Sequence, residues 1–309
     1  RETMHYPNPR MLLSIGMADA YGAGAEYLKF PRDQAVRDEC LLFKGYVAHP
    51  THGHTASHYT DDTEMSVANA KALLAHAAPY SPRMFADEYV AEFRRGGQRK
   101  GYSRGFQAFL ERIRDGKEFL ANIRPDSEKN GAAMRAVPFG VLPTVSEVLE
   151  ASTLQARLTH DTPVGTFSAR AVALMSHFAL RVDMPLRDLP RYCLAHLPKE
   201  DMRFRRVFVD RWPSQPVTSS EGMPVGITTV HAVVDLVMHE GSLMGILERG
   251  IRWGGDVDSV VAIAWGIASA RHSAERLPDF LARDLEGGDP RTGAAYLLDL
   301  GKQLMAKFA

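Results

Sequence analysis

The sequence predicts an all-α protein, and three observations carry that prediction. Apolar residues recur at three- and four-residue steps along most of the 309 residues. Strict alternation is nearly absent: "RFRRVFVDRW" (203–212) is the best candidate for a strand, and it is short. The connecting segments are rich in Gly, Pro and Asn, as in "RPDSEKNGAAM" (124–134) and "WPSQPVTSSEGMP" (212–224). No repeat, low-complexity tract or linker divides the chain, so a single domain over 1–309 is expected.

Taken in order, "GMADAYGAGAEY" (16–27) is small and glycine-rich and contains Asp19 and Glu26. Its small residues suit close packing, or approach of the backbone to a ligand. Asp19 is expected to hydrogen-bond the backbone of that turn and hold the fold. His49, His52, His54 and His58 lie in a Gly/Pro-containing segment, read as an exposed loop near a cleft rather than a metal site. Helical periodicity then marks 63–77, 82–95 and 104–116, with a basic, solvated loop expected around 93–106. Asn130 and Gly131 open a helix of small residues, and His160 falls in a helix-to-loop break, "LTHDTPVG" (158–165). Further helices are expected at 166–182, 226–240, 242–253, 258–272 and 294–308.

Composition narrows the function. Lys+Arg and Asp+Glu both number 37, and zero net charge argues against a dedicated nucleic-acid binder. No apolar run reaches the roughly 18 residues of a membrane-spanning helix, and no secretory pattern opens the chain. Cys40 and Cys193, the only two cysteines, give neither a disulfide framework nor a zinc-finger spacing. A soluble, cytoplasmic, monomeric protein of a reducing compartment is expected.

Two acidic clusters carry the chemistry. "YTDDTEM" puts Thr60, Asp61 and Asp62 at the start of a helix, where capping alone would explain one carboxylate. "GGDVDS" puts Asp256, Asp258 and Ser259 at the start of another. Asp256 and Asp258, two apart, would diverge on a regular helix, but the preceding glycines allow a tight turn that aims both the same way. Oxygen-only donors suit hard cations such as Mg²⁺ or Mn²⁺. Four aspartates facing one another call for such cations to neutralise them.

"GMADAYGAGAEY", "YTDDTEM", "NGAAMR", "LTHDTP" and "GGDVDSVVAIA" together resemble the ADP-ribosylglycohydrolase family, which includes ADP-ribosylarginine hydrolases and dinitrogenase-reductase-activating glycohydrolases. The resemblance runs from about residue 10 to "YLLDLGKQL". It implies an all-α orthogonal helical domain with two Mg²⁺ or Mn²⁺ ions in a central cleft. Thr60, Asp61, Asp62, Asp256, Asp258 and Ser259 would be metal ligands, with Asp258 bridging. Family members commonly have Thr at the position of Ser259, which keeps the hydroxyl. Asn130, Gly131 and His160 would line the ADP-ribose pocket, with a helix N-terminus near Asn130 on the pyrophosphate. Glu26 matches a glutamate on a loop that gates the site in some relatives. The implied reaction is hydrolysis at ribose C1″ of ADP-ribose, with Asp61 or Glu26 taking the proton of water. Arginine linkage is the expected acceptor and serine linkage the main alternative, decided by loops 40–58, 93–106 and 212–224. An ADP-ribosylated protein is the implied substrate and a cognate ADP-ribosyltransferase a candidate partner; a non-catalytic, toxin-neutralising ADP-ribose binder is the rival role. An isoprenoid synthase fits poorly, since its second metal motif needs an acidic residue where "DVDSVVAIAWG" is apolar. A His-Asp phosphohydrolase would leave "GGDVDS" unexplained.

Overall fold

The computed structural model describes residues 3–309. Among them are fifteen α-helices and, in place of a sheet, only isolated bridges. In chain order the helices are α1 (Met11–Ala23), α2 (Gln34–Cys40), α3 (Asp61–Ala75), α4 (Pro82–Arg95) and α5 (Arg104–Arg112). Then come α6 (Gly116–Asn122), α7 (Gly131–Met134), α8 (Val145–Arg157), α9 (Pro163–Arg181) and α10 (Leu189–His196). The last are α11 (Val225–His239), α12 (Leu243–Trp253), α13 (Val257–Ala268), α14 (Phe280–Arg283) and α15 (Ala294–Phe308). All eight periodic stretches form helices, as the sequence predicts.

The centre is built from helices without a polar face. Every residue of α1 and of α13 is buried, as is every residue of α9 after Pro163, as expected of helices enclosed on all sides. α1 and α13 pack most extensively against each other. Gly22 makes that closeness possible: a Cβ there would lie 2.8 Å from the Asp258 Cα. The small residues of 16–27 therefore serve helix packing, the first of the two roles the sequence allows. α3, α11, α12 and α15 surround the pair.

Two expectations need correction. Residues 203–212 are not a strand: Lys199–Phe208 forms a 3₁₀-helix. Its i,i+3 geometry puts Phe204 and Val207 on one face, with Phe204 packed on Phe167 at 4.8 Å and the arginines turned outward. The helix of small residues opening at Asn130 lasts one turn, Gly131–Met134. Pro138 follows and has no N–H to bond the Met134 carbonyl, and the chain continues as a 3₁₀ turn, Val137–Val141.

Candidate active site

Three helix ends meet at one place. Asp19 projects from α1, Thr60–Thr63 start α3, and Asp256–Ser259 start α13. Asp19 ties the first two together. Its carboxylate accepts from the Thr60 N–H (2.9 Å), Thr60 Oγ1 (2.8 Å), Thr63 N–H (3.1 Å) and Thr63 Oγ1 (2.6 Å). Three of the four bonds fall on Oδ2 and one on Oδ1. Asp19 thus holds the fold, but by fixing the α3 turn; the expected bond to the backbone of its own glycine-rich turn is corrected, because that segment is helix α1 and the partners of Asp19 are Thr60 and Thr63.

The α13 end depends on glycine. Gly254 and Gly255 have φ of 86° and 75°, a region that L side chains rarely adopt. A Cβ on Gly255 would lie 2.2 Å from the Val217 carbonyl. This turn lets Asp256 and Asp258 converge despite their spacing. Carboxylate oxygens of Glu26, Asp256 and Asp258 lie within 4.8 Å of one another, as do those of Asp19, Asp62 and Asp258. Asp258 belongs to both groups. Thr60 Oγ1 reaches Asp62 Oδ2 at 3.1 Å, and the Ser259 hydroxyl lies near enough to favour the charged form of Asp62. Asp61 joins neither group and instead lines an adjoining cleft.

The electrostatics are those of crowded, buried carboxylates. Burial first, then the neighbouring acids, pushes Asp61, Asp62 and Asp258 well above the usual carboxylate range. Burial raises Asp19 to about 6 against its four hydrogen bonds, and raises Glu26 against the pull of His52. Asp62 Oδ1 and Asp258 Oδ1 are buried without a hydrogen-bond partner. Orphaned carboxylate oxygens in an all-oxygen set fit a hard divalent cation.

The Glu26 loop is pinned over this end. The Tyr27 N–H donates to the Gly255 carbonyl (2.8 Å), and His49 Nε2 donates to the Glu26 carbonyl (2.6 Å). His49 Nδ1 accepts from the N–H groups of Thr51 (3.1 Å) and His52 (3.0 Å), which fixes that tautomer. His52 stacks on His49 with centroids 3.5 Å apart, and its Nδ1 lies 3.4 Å from Glu26 Oε2. The reading of 49–58 as an exposed loop is therefore corrected at His49, which is buried because it holds the Glu26 backbone.

The cleft of about 630 Å³ runs from Asp61 past Asn130, Gly131 and His160. Asn130 Nδ2 donates to Asp256 Oδ2 (2.6 Å) and Thr229 Oγ1 (3.0 Å), linking the cleft to the acidic group. A Cβ on Gly131 would meet His160 Cε1 at 2.8 Å, so glycine admits the imidazole. Farther out, the Phe106 and Phe109 rings lie 14° from parallel, and Arg112, Arg124 and Lys129 add positive charge. The cleft is thus cationic and aromatic apart from Asp61, with the acidic groups adjoining it through Asn130. The basic loop 93–106 is not wholly solvated: the Arg99 side chain, 9% exposed, lies between Glu64 (2.7 Å) and Glu286 (2.8 Å) and also donates to the Tyr59 carbonyl. Two buried carboxylates need that partner.

The sequence profile of the ADP-ribosylglycohydrolase family matches residues 10–309. The chain belongs to that family. It is similar to ADP-ribosylhydrolase ARH3 of Xenopus tropicalis, 24% identical over 71% of this chain and 75% of the relative. The human protein of that name is 23% identical over 75% of this chain and 76% of its own. The Danio rerio protein is 24% identical, over 82% and 80%. A solved structure described as an ADP-ribosylglycohydrolase-related protein complex shares the fold, with a TM-score of 0.73, 22% identity and coverage of 98% and 99%. The chain is accordingly a glycosidase-type hydrolase.

Proposed function

We propose that this ADP-ribosylglycohydrolase releases mono-ADP-ribose from a modified protein by hydrolysing the bond at ribose C1″, with arginine as the acceptor. The observation that carries the reading is the pair of acidic groups sharing Asp258, joined through Asn130 to an adjoining cleft lined by cations and aromatic rings. ADP-ribose has matching chemistry: a diphosphate and an adenine for the outer cleft, and a reactive ribose for the acidic groups. Asp62, Asp256, Asp258 and Glu26, with the Thr60 and Ser259 hydroxyls, are the residues that would hold two Mg²⁺ or Mn²⁺ ions. Such ions orient ribose hydroxyls and lower the pKa of water.

The chain's own residues do the rest. Asn130 holds Asp256 in place from the cleft side, and Asp19 fixes the turn that presents Asp61 and Asp62. The one-turn α7 is too short to supply the macrodipole expected at Asn130. The diphosphate is better matched by Arg112, Arg124 and Lys129. Asp61, from the cleft, and Glu26, from the pinned loop, are the carboxylates placed to take the proton of the attacking water. Asp61→Asn and Glu26→Gln separate them: the variant lacking the base loses kcat about 100-fold or more, and metal calorimetry on each separates that loss from weakened metal binding, which is expected of Glu26→Gln because Glu26 belongs to an acidic group.

The arginine reading follows from the family resemblance. The name carried by the matching relatives specifies no acceptor, so serine linkage stands as the second reading. The deciding experiment is release of labelled ADP-ribose from arginine-, serine-, glutamate- and nucleic-acid-linked substrates, with Mg²⁺, Mn²⁺ or EDTA and with Asp258→Ala as control. Metal-dependent release from the arginine linkage, lost in the control, supports the proposal, and release only from serine replaces the acceptor. ADP-ribose binding without release from any substrate overturns turnover in favour of a binding role.

A further inference from the structure

A buried guanidinium forms part of the cleft wall with neutral partners only. Arg135 is 1% exposed. Its Nε donates to Gln155 Oε1 (2.6 Å), and its Nη2 to the Gln155 carbonyl (2.9 Å) and to Thr159 Oγ1 (2.7 Å). The Tyr89 ring lies 4.7 Å from the guanidinium carbon. Gln155 is itself held, its Nε2 donating to the Ala132 carbonyl at 3.0 Å. The fork is therefore fixed on both sides before any ligand arrives.

Thr159 Oγ1 also lies 2.6 Å from His160 Nδ1. Proton counting on this hydroxyl decides the state of the ring. A guanidinium only donates, so Thr159 Oγ1 accepts from Arg135. The hydroxyl has one hydrogen to give, and His160 Nδ1 is its acceptor among the described residues. Were Nδ1 protonated, it would donate to Thr159 Oγ1, and the buried hydroxyl hydrogen would be left without an acceptor, which is costly. Nδ1 is therefore bare, and Nε2 carries the hydrogen. The ring edge bearing Nε2 faces Gly131, where a Cβ would stand 3.1 Å from that nitrogen, and His160 lines the cleft.

We infer that Arg135 and Thr159 are positioning residues that lock His160 as its Nε2–H tautomer, so that the imidazole presents a fixed, neutral donor to an oxygen of the ligand in the cleft. The inference rests on the proposed function for the identity of that ligand, ADP-ribose, but the tautomer itself does not depend on it. Burial, with Arg135 and Lys129 nearby, also disfavours the charged ring.

The test uses the full chain labelled with ¹⁵N-histidine. Long-range ¹H–¹⁵N spectra without ligand identify the tautomer, the His160 signals being assigned by their loss in His160→Gln. Calorimetry measures ADP-ribose affinity. The wild type should show the Nε2–H pattern. Thr159→Val should redistribute the tautomers and weaken ADP-ribose about tenfold, while Thr159→Ser, which keeps the hydroxyl, should restore both. An Nδ1–H ring in the wild type overturns the relay outright, with no variant needed. A pure Nε2–H ring and full affinity in Thr159→Val overturn the positioning role. Failure of the proposed function looks different: the wild type would keep the Nε2–H ring and bind no ADP-ribose.

Discussion

Burial holds the His160 imidazole neutral, with its pKa pushed down to about 3, and Arg135 and Lys129 push the same way. The sign for stability follows from linkage. The folded value lies below the usual value of about 6.5, so between the two the unfolded chain binds more protons and stability falls as pH falls. At pH 5 this amounts to about 2 kcal/mol relative to neutral pH, at about 1.4 kcal/mol per pH unit. Urea unfolding of wild type and His160→Asn at pH 7.5 and pH 5 isolates it. The variant should lose that much less stability on acidification, whatever constant offset the substitution brings; parallel losses would show that His160 titrates normally. Single residues also mark where sequence reading stops. Asp62, Asp256 and Asp258 were legible because each carries its motif with it. The bonds of Asp19 go to Thr60 and Thr63, 41 and 44 positions away, and the bond of His49 to the Glu26 carbonyl spans 23. No local pattern encodes such pairings.

At the level of elements, the eight periodic helices were legible because amphipathic or uniformly apolar runs bury in only a few ways. The 3₁₀ segment Lys199–Phe208 was not, since i,i+3 packing of a few residues mimics alternation over so short a run. Glycine positions set how closely helices meet. At Gly22 a Cβ would lie 2.8 Å from the Asp258 Cα, within the backbone that presents the acidic groups. At Gly16 the nearest atom is a Leu297 methyl at 2.7 Å, the free end of a side chain that can turn aside. Alanine favours a helix over glycine by about 1 kcal/mol, so Gly16→Ala should be within about 1 kcal/mol of wild type. Gly22→Ala should lose about 1–3 kcal/mol through overpacking. It should also weaken Mn²⁺ binding, because α13 must shift away from α1. Thermal unfolding and metal calorimetry on the two variants test this, and equal behaviour would show that the α1–α13 contact does not set the site geometry.

Across the whole molecule, charge balances to zero while locally it is strongly segregated, with carboxylates at the meeting of α1, α3 and α13 and cations along the cleft. Segregation of that kind is a stored cost. Asp61, Asp62 and Asp258 are raised well above their usual range, chiefly by burial. The folded state then binds more protons than the unfolded chain, so the stability these groups contribute is present below about pH 4 and is lost as pH rises through their folded values. A divalent cation that binds only the folded protein offsets the loss, by about 4 kcal/mol at a free concentration 1,000 times Kd. Mn²⁺ or Mg²⁺ should therefore raise Tm, and by more at pH 8 than at pH 5.5, where protons compete for the same oxygens. In Asp258→Asn the metal-free protein should unfold at a higher temperature than metal-free wild type, because one buried carboxylate has gone from both acidic groups. The metal-dependent rise should shrink or vanish in the same variant. Scanning calorimetry at the two pH values, with EDTA or Mn²⁺, reads all of these effects. A Tm indifferent to the ion in the wild type would mean that the carboxylates settle their repulsion by protonation alone, and that the centre holds no metal.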